Sequence, residues 1–385
     1  MSIFNDLWIS RKPLAGFLVI GTAWASYFAQ MPVIKAGVGA SDGAYGSVIL
    51  LASLGAVGAM WLAPLADRLA GTWALPMGAM AVALGFLWAG VSPGLLGLML
   101  ALTIASSGSG VVDVLVNARL SEKEALHGRT LMNLNHAMYS FMYAGAAVVV
   151  GWAREAGWTP VQVFLVMTLL IACLCLVMLG DDAAPPIPET GEAPAAFPHL
   201  LVWLMGLLVL TGFLAEAGTE GWSALHLERT LGGGPAQGAL GPAILGLTMG
   251  IGRLAGHAVA RHMSEMILLA CACLLSAFGV ILAGAATSLM MAYLGFALGG
   301  LGVSIVVPMV IALAGRVVEP AARLTAISRV SVLGYGAFFV GPPLMGLVSE
   351  GWGLRTSFYM IGAMLILAAA LLVPVIAAQI SRRPA

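Results

Sequence analysis

The feature that most constrains this sequence is a series of apolar stretches, each about 20 residues long, that recur from one end of the chain to the other. A helix of about 20 apolar residues is the length that crosses the hydrocarbon core of a bilayer. Hydrophobic residues make up 61% of the 385 residues, and charged residues only 9%. A soluble domain carries about a quarter of its residues charged, so this composition predicts an all-α protein embedded in a membrane.

Breaks at charged residues and at glycine and proline clusters divide these stretches into twelve predicted transmembrane helices. The first stretch follows Arg11 and Lys12 and is longer than the apolar core of a signal peptide, so we interpret it as the first spanning helix. The predicted spans are residues 14–34, 43–66, 73–91, 94–118, 130–152, 160–179, 199–225, 238–260, 265–285, 288–314, 324–348 and 354–378.

One long hydrophilic stretch, residues 181–198, separates the sixth predicted span from the seventh. Its proline-rich, acidic composition is typical of a flexible linker. A weak internal repeat supports two equivalent halves, because residues 54–68 and 245–257 share glycine, leucine and arginine at comparable places. We therefore predict two six-helix bundles, residues 1–180 and 199–385, with a solute site between them and a cytoplasmic linker at 181–198.

The basic residues outside the predicted spans are distributed unevenly between the two sides of the membrane. Eleven lysines and arginines lie on the side of the termini, and four lie on the other side. Loops that stay in the cytoplasm are enriched in these residues. This bias predicts that both termini are cytoplasmic.

The segment Ala63–Arg68, after the second predicted span, resembles the Gly-x-Leu-x-Asp-Arg loop motif of the major facilitator superfamily. It departs from that motif in having Ala63 in place of the first glycine and no basic residues after Arg68. Five further stretches are similar to a bacterial subgroup that includes the membrane protein of a rhizopine-synthesis locus: residues 113–117, 135–140, 216–222, 334–336 and 341–343. The resemblance implies a secondary transporter of the bacterial inner membrane that works by alternating access. It also implies that Asp67, Arg68 and Arg253 take part in gating, with Arg253 reaching the cytoplasmic surface.

A few ionisable residues fall inside predicted spans, where they are costly and usually face a partner or a cavity. They are Asp113, His136, Glu216, Glu220, Arg253 and Arg329. Glu216 and Glu220 are four residues apart and share a helix face, so repulsion and burial favour protonation of one of them. We predict that Glu216, Glu220, Asp113 and His136 couple transport to protons, with Glu216 as the first choice. The alternative for Glu220 is simple solvation near the outer surface.

Two polar stripes at helical spacing predict a wall of the solute site. The fourth span carries Ser106, Ser109, Asp113 and Asn117, and the fifth carries Asn133, His136, Ser140 and Tyr143. From these stripes we predict solute binding by Asn117, Asn133, Ser140 and Tyr143. The alternative is a buried hydrogen-bond network that joins the two helices.

Three more residues are predicted to bind solute. Arg329 could neutralise an anion or pair with an acid, although snorkelling to the inner surface is the alternative. Tyr27 and Gln30 lie three residues apart and could stack on and hydrogen-bond a sugar-like solute, although aromatic packing would explain the same pattern.

Other functional classes are less compatible with the sequence. The 17 basic and 17 acidic residues cancel, so no charge excess favours nucleic acid. An intramembrane enzyme would need a nucleophile with its base or a metal cluster, and the sequence has no His-x-x-x-His or Gly-x-Ser-x-Gly motif. The pairs Cys173/Cys175 and Cys271/Cys273 should point to different helix faces. We predict a monomeric carrier without cofactor or metal that couples the movement of a small polar or anionic solute to protons. A passive facilitator and an efflux carrier are the alternatives.

Overall fold

A computed structural model describes residues 3–129, 131–180, 198–259, 263–318 and 323–382. The predicted linker therefore lies outside the described residues, apart from residue 198. The described chain forms fifteen α-helices: α1 Ile3–Ile9, α2 Arg11–Gly37, α3 Asp42–Ala70, α4 Ala74–Val91, α5 Leu95–His127, α6 Met132–Glu155, α7 Pro160–Met178, α8 His199–Leu225, α9 Pro235–Val259, α10 Glu265–Ala285, α11 Leu289–Arg316, α12 Arg323–Tyr335, α13 Ala337–Trp352, α14 Leu354–Leu367 and α15 Val373–Ser381.

Fourteen of these helices, α2 to α15, form twelve membrane spans, and the short helix α1 precedes the first of them. Ten helical stretches are long and apolar enough to cross a membrane within the described ranges. One of the ten, Asp42–Val91, contains both α3 and α4. The polar helix α6 is not among the ten, and counting it separately completes the twelve. The twelve-helix prediction is confirmed, with α12 and α13 forming the eleventh span and α14 and α15 the twelfth.

Local sequence signals explain where several spans begin. Ser41 accepts a hydrogen bond from the Ala44 amide at the start of α3, and Ser264 does the same for Ile267 at the start of α10. Thr159 and Gln162 form a capping box before α7, whose first residue is Pro160. These side chains satisfy amides that the first helical turn leaves unpaired.

The outer surface of the bundle is apolar, as a lipid solvent requires. Large side chains such as Trp61, Leu69 and Leu176 are exposed, and each belongs to a predicted span or its edge. The cysteines follow the predicted alternation, because Cys173 and Cys271 are exposed while Cys175 and Cys273 are buried. An apolar exposed surface on this scale is typical of a membrane interaction site.

The eleventh span is not the continuous helix that the sequence predicts. It breaks between Tyr335 and Ala337, and Pro342 lies in the following helix, where its ring nitrogen cannot donate to the Phe338 carbonyl. The Ser53 hydroxyl of α3 lies 3.1 Å from that carbonyl oxygen and 2.9 Å from the Ile49 carbonyl oxygen of its own helix, so its single proton is shared between the two acceptors. A side chain of the first half is therefore within hydrogen-bonding distance of a backbone group that proline leaves free in the second half.

The two halves pack through matching pairs of helices, α3 with α13 and α6 with α9. Glycines permit the close approach in both pairs. A Cβ on Gly46 would lie 2.5 Å from the Pro342 carbonyl oxygen, and a Cβ on Gly151 would lie 2.6 Å from the Ala239 side chain. Small residues of this kind are typical of helix contacts inside membranes.

Charged contacts join the halves at one end of the bundle. We call the end that holds the termini the near end and the opposite end the far end. At the far end, Arg154 of α6 donates to both carboxylate oxygens of Glu228, at 2.7 and 3.0 Å. Arg229, the next residue, donates to both oxygens of Asp42, at 2.9 and 2.7 Å. Glu228 and Arg229 lie on one π-helical turn, His226–Thr230, that continues α8.

Two acids complete this far-end connection by binding the amino ends of helices across the interface. Glu350 of α13 accepts from the Gly43 amide of α3 at 2.7 Å and from Ser41 at 2.8 Å. Glu155 of α6 accepts from the Ala236 amide of α9 at 3.2 Å. Both acids face the positive end of a helix dipole. We call the set Asp42, Arg154, Glu155, Glu228, Arg229 and Glu350 the far-end clasp.

Candidate solute site between the two halves

Five helices bring polar side chains together between the halves, on the near side of the far-end clasp. The helices are α5 and α6 from the first half and α8, α9 and α12 from the second. We call their polar residues the central cluster: Asp113, Asn117, His136, Ser140, Glu216, Arg253 and Tyr335.

The first half contributes a chain of hydrogen bonds between the two predicted polar stripes. Asn117 donates to the Asp113 carboxylate at 3.2 Å and to the Asp113 carbonyl at 2.8 Å. The Asn117 carbonyl oxygen lies 3.3 Å from Nε2 of His136, so a proton on Nε2 completes that bond. Phe17 packs against the His136 ring at 4.7 Å between centroids. The stripes on α5 and α6 therefore meet through Asn117 and His136, which is the contact that the alternative of a hydrogen-bond network between the two helices also describes.

The second half contributes the cation of the cluster. Arg253 donates to the Ser140 hydroxyl at 2.9 Å, which connects α9 to α6 across the interface. Its other terminal nitrogen lies 3.4 Å from Oε1 of Glu216 on α8. The Arg253 and Glu216 side chains retain 18% and 16% of their exposure. The ion pair is thus partly open to the space between the halves.

Tyr335 makes a second connection across the interface. Its hydroxyl lies 3.4 Å from Oδ2 of Asp113, and its ring stacks on Phe213 at 5.5 Å. Phe338 packs against the same ring at 5.9 Å. The cluster therefore combines acids, one guanidinium and an aromatic wall, which are the groups that bind and orient a small polar solute.

Glu220 lies one helical turn beyond Glu216, on the same face of α8 and toward the far end. It is half-buried, and its electrostatic neighbours are Glu216 and Arg253. Among the described residues its carboxylate has no hydrogen bond or ion pair. Tyr139 of α6 interacts electrostatically with both glutamates.

Arg253 does not occupy the position that the resemblance implies. The sequence placed it at the cytoplasmic surface as a gating residue, but its guanidinium lies in the central cluster. The physical reason is that Glu216 and Ser140 are within its reach, and a cation in a membrane interior is stabilised by an acid and a hydroxyl.

Arg329 lies outside the central cluster. It is exposed at the near end, where its Nη1 lies 3.2 Å from Nδ1 of His199. Tyr335 is six positions further along α12, so the two side chains point about 120° apart around the helix. The surface position corresponds to the snorkelling alternative, since the long side chain keeps its charge at the wet end of the span.

Tyr27 and Gln30 lie in the packed interior of the first half. Tyr27 is fully buried, shares a 2.8 Å hydrogen bond with the Tyr45 hydroxyl and stacks on Phe86 at 4.9 Å. This is the packing alternative, because no face of the ring is left for a solute. Gln30 is also fully buried, and both atoms of its amide lack a hydrogen-bond partner among the described residues.

The remaining residues of the α6 stripe divide between surface and core. Asn133 is exposed at the start of the helix, one turn below His136. Tyr143 is fully buried against Gly246 of α9, with no hydrogen-bond partner for its hydroxyl in the described part of the chain. Asn135, which the stripe omitted, is buried and donates to Ser10 at 3.0 Å.

The predicted gating loop pairs within its own half. Asp67 accepts a 2.8 Å hydrogen bond from Arg119 of α5, and Arg68 is exposed. Asp6 with Arg129, and Glu265 with Arg316, are further near-end pairs inside one half. The ion pairs of the far-end clasp, in contrast, cross between the halves.

Sequence reasoning missed Tyr335 and the central position of Arg253. In the sequence, Tyr335 was noted only as part of the Gly-Tyr-Gly segment that resembles the bacterial subgroup. A tyrosine between two glycines in an apolar span could have indicated a functional residue. The partnership of Arg253 with Glu216 joins residues 37 positions apart. The spacing of residues within one helix cannot predict a contact between two helices.

Comparison with known proteins shows which families and proteins this chain resembles. The family model described as Major Facilitator Superfamily matches residues 223–385. An uncharacterised MFS-type transporter of Yersinia pestis is 27% identical and covers 92% of each chain. Transporter y4wD of Sinorhizobium fredii is 29% identical over 94% of this chain and 96% of its own. Membrane protein MosC of Rhizobium meliloti is 25% identical over 92% of this chain and 87% of its own.

Solved structures show the same fold. A bacterial homologue of the human lysosomal transporter Spinster, in an inward-facing and occupied conformation, superposes with a TM-score of 0.74 at 14% identity over 100% of both chains. A D-xylose–proton symporter superposes with a TM-score of 0.71 at 16% identity, over 96% of this chain and 97% of its own. Together with the family model that matches residues 223–385, these relatives show that the chain is similar to transporters of the major facilitator superfamily and has the fold of the solved transporters.

Proposed function

We propose that this transporter moves a small polar or anionic solute across the bacterial inner membrane together with a proton. The observation that carries the proposal is Glu216, an acid on an apolar helix, beside Arg253 and between the two halves. An acid in such a place can gain and lose a proton as its partner changes. The D-xylose–proton symporter of the same fold supports this direction.

The far-end clasp suggests how the site is opened alternately to the two sides. Residues 1–180 and 199–385 would rock as two bodies, with both termini in the cytoplasm. In the described arrangement the clasp ties the halves together at the far end, while Asp67 pairs with Arg119 inside its own half. Opening the far end would require breaking the clasp, and Asp67 and Arg68 would then hold the near end shut.

Transport assays with purified protein in proteoliposomes test the proposal. Uptake of a panel of sugars, sugar acids, organic acids and amino acids is measured with and without an imposed pH gradient. We expect at least one solute to accumulate only when the gradient is present. Accumulation that ignores the gradient would contradict proton coupling, and a panel without any mediated uptake would contradict the transport proposal for these solute classes.

The variant Glu216→Gln tests the coupling residue. Gln imitates the protonated acid, so the variant should bind solute and exchange it across the membrane, but should no longer accumulate it. Glu265→Gln is the matched control, since Glu265 pairs with Arg316 at the exposed near end. If Glu216→Gln still accumulates solute on a pH gradient, the coupling role passes to Asp113, with His136 as its neighbour, and the same test applies.

A passive facilitator is the second candidate, and one observation favours it. Glu216 already has a cation beside it, and an acid that stays paired throughout the cycle would carry no proton. The two candidates differ in one measurement, because a facilitator equilibrates solute but never concentrates it.

A further inference from the structure

The guanidinium of Arg253 has more hydrogen-bonding capacity than its described partners use. A guanidinium carries five N–H donors in a planar fork. Ser140 accepts one at 2.9 Å, and Glu216 stands 3.4 Å away, which is longer than the 2.7–2.9 Å typical of a charged pair. The contact with Glu216 is therefore loose, and the side chain keeps 18% of its exposure.

The surroundings of Glu216 make this loose pair sensitive to a competing anion. Arg253 supplies the guanidinium of the central cluster, and a second carboxylate, Glu220, lies on the same face of α8 as Glu216. Titratable groups on four helices contribute to the field around the pair: Asp113 on α5, His136, Tyr139 and Tyr143 on α6, Glu220 on α8 and Tyr335 on α12. If Arg253 turned to another anion, Glu216 would remain beside a like charge in a poorly hydrated place, where the neutral acid is favoured.

We propose that Arg253 binds a carboxylate group of the solute, and that this carboxylate displaces Glu216, which takes up one proton from water. The inference rests on the proposed transport function and adds the solute class and the stoichiometry. The planar fork suits a carboxylate because two parallel N–H bonds can form at once.

The charges balance over this exchange. Before binding, Arg253 and Glu216 carry opposite charges. Afterwards, Arg253 is paired with the solute anion and Glu216 is neutral. One negative charge and one positive charge have entered the site, so the loaded carrier has the same net charge as the empty one. Transport of a monocarboxylate should therefore be electroneutral.

A structural role for Arg253 is the competing explanation, since its bond to Ser140 joins the halves. Two substitutions separate the explanations. Arg253→Gln removes the charge, and Arg253→Lys keeps the charge but loses the planar fork. Arg316→Gln is the matched control, because Arg316 is exposed at the near end and pairs with Glu265.

The binding experiment uses the purified full chain in detergent and pairs of solutes that differ in one group. Suitable pairs are lactate with lactamide, gluconate with glucitol, and benzoate with benzamide. We expect a carboxylate, and not its neutral partner, to raise the thermal unfolding midpoint of the parent and of Arg316→Gln. Arg253→Gln should lower the affinity by about 30-fold or more, as the loss of a charge-assisted pair implies, and Arg253→Lys by about tenfold.

Proton uptake is the measurement that should be unaffected if Arg253 has only a structural role. In weakly buffered solution near neutral pH, each bound carboxylate should remove about one proton from the medium in the parent. Glu216→Gln should bind the carboxylate with almost no proton uptake. In proteoliposomes, a potassium diffusion potential should leave the initial rate of uptake unchanged.

The outcomes are distinguishable. Neutral partners that bind as tightly as the carboxylates, a panel in which no carboxylate binds, undiminished binding by Arg253→Gln, or uptake driven by the potential would each overturn the inference. The transport proposal would survive if a neutral solute still accumulates on a pH gradient. It would fail, independently of Arg253, if no solute of any class is moved.

Discussion

Replacing Glu228 with glutamine should open the far end of the transporter. Arg154 holds Glu228 through two hydrogen bonds and also donates to the Ala29 carbonyl at 2.6 Å. A glutamine presents one acceptor oxygen in place of two and carries no charge. Its amide nitrogen would also face an N–H donor of Arg154, so one of the two bonds cannot form.

The size of the effect follows from burial. Removing one partner of a buried ion pair costs about 3–5 kcal/mol. The Arg154 side chain is only 4% exposed, but that of Glu228 is 18% exposed, and glutamine retains one bond. We therefore expect a cost of about 2 kcal/mol, which is roughly a 30-fold shift in an equilibrium. Because the pair joins the two halves, the cost falls on the state closed at the far end, and an open state populated at about 1% would rise to roughly a quarter.

Distance measurements between spin labels can test this value. Labels at Trp158→Cys and Trp352→Cys would report on the far end of the two halves, since both residues are exposed there, at 44% and 72%. The four native cysteines are replaced by alanine. Glu228→Gln should add a population at longer distance, whereas Glu265→Gln should not. An unchanged distance distribution, or an equal change in the control, would show that the pair does not hold the far end closed.

Three further predictions address the remaining contacts. Asp67→Asn should slow turnover and leave solute affinity nearly unchanged, because the loop acts on bundle movement; an equal loss of affinity in a binding assay would contradict this. Glu350→Gln should shift the far-end equilibrium in the same direction as Glu228→Gln but by less, about 1 kcal/mol, because a neutral oxygen can still accept from Gly43; the same label pair measures it. Tyr335→Phe should weaken solute binding only a few-fold, since the ring stays in place and one 3.4 Å contact is lost; a loss as large as that of Arg253→Gln would assign Tyr335 a direct role.

The sequence predicts most accurately what helical periodicity controls. Asp113 and Asn117 are four residues apart, and their hydrogen bond, together with the contact to His136, lies where the stripes place it. Tyr27 shows the limit of the same reasoning. In the sequence, a tyrosine that lines a cavity has the same helical spacing as a tyrosine that packs against another ring, as Tyr27 does against Phe86. Only the packing of the neighbouring helices distinguishes the two cases.

Helical periodicity cannot predict which residues meet when two helices are distant in the chain. Arg253 could have reached the surface or turned inward, and the choice depends on where Glu216 lies on another helix. The contact of Ser53 with the Phe338 carbonyl, which Pro342 leaves without its helical donor, likewise joins two halves that are distant in the chain. Depth in the membrane and the identity of the facing residue are properties of the assembled bundle.

The two acids that bind helix ends in the far-end clasp occupy equivalent places in the internal repeat. Glu155 ends the fifth span and meets the start of the eighth, while Glu350 is near the end of the eleventh and meets the start of the second. In a two-fold dimer of six-helix subunits, a single acid would make both contacts, because each subunit would supply the acid to its partner's helix. Joining the subunits into one chain frees the two positions to mutate separately. One contact can then be weakened while the other is kept, which allows the stability of the closed far end to be adjusted in smaller steps than a symmetric dimer permits.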